Sequence, residues 1–252
     1  MPSADPREPA SPGSARLGGR VVAMLLLGTL AFLVLALVAP WAWQQLGGSG
    51  SAPAAAQAAA PMLGLPWQIE RRPDGTTMVF GLDLGRDDLG QAAARWPGET
   101  MKLAVIHDPA RGTFALEGYL ATIQAGFVQG RLVLTGEADA GRLAAWAARA
   151  ERTEPQPSGA LRLTLAPADE ADARGTRIAA IAFLPAARFD EATAVERFGP
   201  PPERRVTADG LVHLLYPPQG VVVTIDPQGR VKPVLQYVPP RDFERLRAPL
   251  AR

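Results

Sequence analysis

Hydrophobic positions along this chain fall into two regimes. From Val21 to Ala39 they run without interruption: no residue is charged and Thr29 is the only polar side chain. At 1.5 Å per residue such a run makes a helix of roughly 28 Å, close to the thickness of a bilayer core. After Leu63 the pattern is periodic instead. "GRDDLGQAAARWPG" sets Leu89, Ala92, Ala93 and Trp96 at helical spacing behind an aspartate, and "DAGRLAAWAARAE" does the same for Leu143, Trp146 and Ala150. "MKLAVIH", "TFALEGYLATI", "GRLVLTG", "ALRLTL" and "TRIAAIAFL" read as strands. "DEATAVERFG" predicts a short helix capped by Asp190 and ended by Gly199, with Val195 and Phe198 on one face. The apolar runs in "ERRVT", "LVHLLY", "VVVTI" and "RVKPVLQYV" follow, separated by Asp-Gly, Pro-Pro-x-Gly and Asp-Pro-x-Gly turns. That is a helix followed by a four-stranded antiparallel meander. "PPRDFERLRAPL" closes the chain as a short helix carrying Phe243 and Leu246.

The expected class is α+β, short helices on antiparallel meanders, behind one N-terminal transmembrane helix. The expected divisions are a cytoplasmic tail at 1–20, the membrane helix at 21–43, a Gly/Ala/Pro/Ser tether at 44–62 and two α+β units at 63–154 and 155–252. Asp88 matches Asp190 and Trp96 matches Phe198 at one constant offset, so the two units are expected to be a tandem duplication.

Several features make the apolar run an anchor and not a cleaved signal. It exceeds the ~7–15 residues of a signal-peptide core, and Trp41 and Trp43 stand where a peptidase requires small residues. Paired indoles suit the membrane–water boundary. Arg7, Arg16 and Arg20 precede the run and nothing basic follows until Arg71, so the N-terminus is expected to stay cytoplasmic and the remainder to be exported. The preference for arginine over lysine, with Lys102 and Lys232 the only lysines, is that of GC-rich bacterial coding. The exported side is therefore read as a periplasm, and the anchor as seated in the inner membrane.

The chemical inventory is thin. The formal charge is +1, which gives no field for nucleic acid. Cysteine is absent, and with it disulfides, thiolate catalysis and lipid attachment through an N-terminal cysteine. Beyond residue 62 the single serine is Ser158, asparagine is absent, and the histidines are His107 and His213. Triads, zinc sites and phosphate loops are not expected, nor is any catalytic residue, metal or cofactor. Asp87 and Asp88 read as helix-start residues, Asp169, Glu170 and Asp172 as a solvated helical turn, and "HDPARG" as a strand end. Glu117 and Tyr119 share one strand face opposite Leu116 and Leu120. With His213 and Tyr237 they are the candidate partner-binding face.

The run "EATAVERFGPPPE", a strand, "VVVTID" and a closing strand resembles the small envelope proteins of the SmpA/OmlA (BamE-like) group. Two such units in series resemble the β-lactamase-inhibitor-protein architecture. The resemblance implies α+β modules that bind other proteins and do not catalyse. The chain departs from the lipoprotein members in having no cysteine, so its attachment would be the helix. The leading expectation is a single-pass inner-membrane protein whose periplasmic domain binds or scaffolds an envelope protein. A hydrolase of cell wall or carbohydrate would need two of Glu117, Asp108, Asp169 and Glu191 in one cleft. A membrane-anchored sensor is the third expectation.

Overall fold

A computed structural model describes residues 64–251. The tail, apolar run and tether lie outside the described residues. No helix among the described residues is long and apolar enough to cross a membrane.

The described chain is α+β and is organised by one ten-stranded antiparallel sheet. A short three-stranded sheet precedes it: β1 (Glu70–Arg71), β2 (Thr77–Val79) and β3 (Leu82–Asp83). Helix α1 (Leu89–Arg95) follows, then β4 (Lys102–Asp108), β5 (Thr113–Ala125), β6 (Val128–Gly136), α2 (Ala140–Ala148), β7 (Arg152–Pro155), β8 (Leu161–Thr164), α3 (Pro167–Arg174) and β9 (Ile178–Pro185). The last part is α4 (Glu191–Phe198), β10 (Glu203–Val206), β11 (Val212–Tyr216), β12 (Val221–Ile225), β13 (Val234–Tyr237) and α5 (Glu244–Arg247).

The helices form where their caps permit. Asp88 accepts a hydrogen bond from Gln91 N at 2.7 Å while Gln91 Oε1 accepts one from Asp88 N at 2.9 Å, a reciprocal pair that satisfies two otherwise orphaned donors. Asp139 and Asp190 cap α2 and α4 through Arg142 N and Thr193 N, at 2.8 and 2.9 Å. Gly199, at φ 85, ends α4 in a conformation that disfavours any side chain.

Strand order across the sheet is β10-β11-β12-β13-β9-β6-β5-β4-β8-β7. The order is mirrored about the β13–β9 seam, where Leu235 faces Phe183 and Tyr237 faces Ile181. On one side lies the run after α4, β10 to β13. On the other lies the run after α1, β4, β5, β6 and β9, with α2–β7–β8–α3 inserted before β9. The expected boundary between residues 154 and 155 falls inside β7, and β8 pairs with β4 of the first half. "RTEP" is an edge strand of the sheet; Pro155 is tolerated there because an edge position needs no ladder donor.

One face of the sheet carries the main core. Leu103, Val105, Leu116, Leu120, Leu132, Leu134, Ile181, Phe183, Leu214, Val223 and Leu235 cluster with residues of α1 to α4. Each fully buried leucine contributes roughly 2 kcal/mol. The segment ahead of α1 crosses the seam on this face: Phe80 packs on Phe183 and, edge-on, on Tyr237, with ring centroids 5.2 and 5.5 Å apart. On the second face Leu246 of α5 and Phe243 just before it cover Ala180, Leu215 and Val222.

Candidate functional site

Alternation along β5 places Leu116, Gly118 and Leu120 under the helices and Glu117 and Tyr119 on the second face. Register extends that face sideways. Glu117 lies between Ala104 and Thr135, Tyr119 between Lys102 and Val133, and Thr164 and Arg162 of β8 lie beside Ala104 and Ile106. No helix contributes a core residue to this part of the face among the described residues. Ala104 and Ala115 make a buried floor of small side chains. Half-buried Glu117, Tyr119 and Arg162 and exposed Lys102 stand around it. Neither Lys102 nor Arg162 is read as a site residue from the sequence; Lys102 comes beside Tyr119 through the β4–β5 hairpin, and Arg162 joins the face through β8 pairing with β4, which no local pattern announces.

Glu117 is the electrostatically unusual group. Burial against the apolar floor raises its pKa to about 7, and the positive charge of Arg162 offsets only part of that. A carboxyl poised near neutrality can hold a proton as a donor or release it on meeting a cation.

The other two residues of the expected face are elsewhere. His213 shares the second face but is 2% exposed. Its Nδ1 and Nε2 lie 2.9 and 3.0 Å from the hydroxyls of Thr224 and Thr207, and desolvation lowers its pKa. It is a satisfied core histidine. Tyr237 is a correction outright: it lies on the helix-covered face, 1% exposed, and its hydroxyl donates to Pro66 O at 2.9 Å. For His213, a hydrogen-bonded histidine on a half-buried face is the bland reading that its place among Leu211 and Leu215 favours, whereas the carbonyl that takes up the Tyr237 hydroxyl is 171 residues away. Glu117 and Tyr119 remain together; His213 and Tyr237 do not join them.

The carboxylates weighed for hydrolysis are dispersed. Asp108 is on the face of Glu117 but four residues further along β4 from Ala104, about 13 Å away by strand rise. It accepts from Ala110 N at 3.0 Å and pairs with Arg111 at 2.7 Å. Asp169 is held by Arg149 at 2.7 Å and Glu191 by Arg204 at 2.7 Å; both cations keep the carboxyl below its usual range. Among the described residues no three His, Asp or Glu side chains gather as a metal set.

Two clefts lie away from the open face. One, of about 450 Å³, is walled by Arg72, Asp74, Asp83 and Arg86. The other, of about 650 Å³, opens between the loop after β9 and the β12–β13 turn. Its acids are occupied. Asp190 caps α4, and Asp226 accepts from Gln228 N, Arg230 N and Arg230 Nε at 3.0, 2.8 and 3.0 Å, which with the paired guanidinium holds its pKa at about 2. The comparisons add no relative: no family model, curated protein or solved structure matches the chain.

Proposed function

We propose that this chain is a single-pass inner-membrane protein, N-terminus cytoplasmic, whose periplasmic α+β domain is a protein-binding or scaffolding module of the envelope. The observation that carries the reading is the asymmetry of the sheet. Helices α1 to α4 pack on one face, while the β4–β6 and β8 part of the other presents Glu117, Tyr119, Arg162 and Lys102 over a small-residue floor. Tyrosine and arginine are the residue types that dominate binding energy at protein interfaces, and charged groups around them set partner specificity. The N-terminal run supplies the anchor, and residues 44–62 the reach to present the domain. The two halves are read as a duplication. Capped helices 102 residues apart (Asp88, Asp190) and the mirrored order about the β13–β9 seam support it.

A hydrolase reading draws on one observation, the raised pKa of Glu117. Asp108, the weighed carboxylate on the same face, stands about 13 Å along the strand, beyond the roughly 5–10 Å that glycoside hydrolysis uses.

The scaffold reading is tested with a photo-crosslinking amino acid at position 119 of the full chain in intact cells. A discrete adduct at 119, missing when the probe is at Arg111 and weakened by Glu117→Arg, is expected. Equal labelling at both positions, or none at 119, would overturn it. A reporter fused to Arg252 that is active only on the outer side is the companion result expected for the topology.

A further inference from the structure

The β5–β6 hairpin ends in an unusual residue. Ala125 pairs with Val128, leaving Gly126 (φ 61) and Phe127 as the two-residue turn. Turns of this size favour glycine, asparagine and aspartate, and nothing in the backbone calls for a phenylalanine. Phe127 is 55% exposed, and it is the only aromatic among the large apolar side chains exposed in the described residues. Its ring centroid lies 5.9 Å from that of Trp67, whose own lies 6.5 Å from Phe189. The Arg197 guanidinium sits 4.9 Å above the Trp67 ring. On the same hairpin Trp96 donates through its indole N–H to Gln124 O at 3.2 Å. Ala186 N donates to Gln129 O at 2.8 Å, which brings the loop bearing Arg188 alongside.

Trp67 is also where the chain enters the domain. Residues 44–62 have the composition of a flexible coil, with a root-mean-square reach of roughly 25 Å. They join the domain at the aromatic end, and they start just after Trp41 and Trp43. Whatever lies at the membrane surface is therefore at high effective concentration for this tip, and a weak contact suffices. Tryptophan, phenylalanine and arginine together are the side chains that settle at the headgroup boundary.

We propose that the Trp67–Phe127 tip seats in the outer surface of the same bilayer that holds the anchor, as an interfacial foot for the domain. The occupant is a lipid surface and not a protein, because the tether delivers this end to the lipid. The proposal rests on the anchor reading given above. Arg188 has Asp190 at 3.6 Å and Arg197 has Glu196 at 3.4 Å, so the contact is apolar and aromatic and needs no anionic lipid. Since β5 and β6 meet at the tip and extend from it, a seated foot stands the strands upright and turns the Glu117–Tyr119 face sideways along the membrane.

The chain has no cysteine, so single reporters can be introduced without background. Spin labels at Leu30→Cys, Ala110→Cys and Gln129→Cys of the full chain in phosphatidylcholine nanodiscs report depth through collision with oxygen and with a water-soluble nickel chelate. Ala110 is at the opposite end of β5, roughly 40 Å from the tip by strand rise. The oxygen-to-nickel ratio at 129 is expected several-fold above that at 110. Adding Phe127→Ser should bring it down to the 110 value, whereas Phe127→Tyr should keep it high. A ratio at 129 equal to that at 110, with 30 deep in hydrocarbon, overturns the foot, keeps the anchor and leaves the tip to a protein partner. A label at 30 open to nickel removes the anchor and the proposal with it.

Discussion

Replacing Glu117 by glutamine keeps the shape of the side chain and removes its ionisation. In the folded protein the carboxyl titrates at about 7 instead of 4.5, because burial disfavours its charged form more than Arg162 favours it. Between those values the native state holds a proton that the unfolded chain has already released. Stability therefore falls as pH rises through this window, by about 1.4 kcal/mol per pH unit. The whole interval is worth about 3 kcal/mol. The side chain is only half-buried, and solvent at its edge trims that toward about 2 kcal/mol. Glu117→Gln should match the wild type at pH 4.5 and exceed it by about 2–3 kcal/mol at pH 8, in denaturant titrations of the full chain in nanodiscs. For a domain of this size that is a melting shift of roughly 5–10 °C at pH 8. Arg162→Gln should move the titration further upward, since it removes the cation that opposes it. A gap between wild type and Glu117→Gln that stays the same at both pH values would refute the reasoning, as would a carboxyl resonance titrating near 4.5.

Three other substitutions probe the frame. Gly130→Ala places a Cβ 2.5 Å from the Phe183 ring and Leu184 O, and should destabilise by about 2–3 kcal/mol in denaturant titrations. A neutral result would mean the β6–β9 contact is looser than described. Tyr237→Phe leaves Pro66 O without its donor and should cost about 1–2 kcal/mol while speeding amide exchange in residues 64–69; unchanged exchange would deny that this bond ties the segment to the sheet. Asp226 has its pKa depressed to about 2, so its contribution is present above about pH 4 and is lost as pH falls toward 2. Asp226→Asn should therefore weaken the protein at pH 7 and narrow its gap from wild type at pH 2; a constant gap would contradict the pairing with Arg230.

Local signals carried most of the fold. Asp88, Asp139 and Asp190 cap the helices read behind them, and Leu143 with Trp146 lies buried on α2 as its spacing predicts. "RVKPVLQYV" yields a strand only from Val234, since Pro233 cannot donate to the ladder. What local pattern could not carry is partnership across distance. β9 reads as one more apolar strand, yet it joins the two halves, and β8 lies beside β4 more than fifty residues earlier. The same limit applied to the candidate face. Period-2 alternation placed Glu117 and Tyr119 rightly opposite Leu116 and Leu120. It could not show that Pro66, 171 residues away, closes over Tyr237. The three short strands before α1 carry too few residues for any period, and they escaped notice.

The seam at β9 also governs how the polypeptide must be made. All eight residues of Ile178–Pro185 are buried, and the neighbour on one side, Val234–Tyr237, follows about fifty residues later in the chain. A product stopped, or clipped, anywhere between them carries a long oily strand with a row of unanswered amide and carbonyl groups, the template on which chains aggregate. Fragments that end between β9 and β13 should thus be insoluble or rapidly degraded.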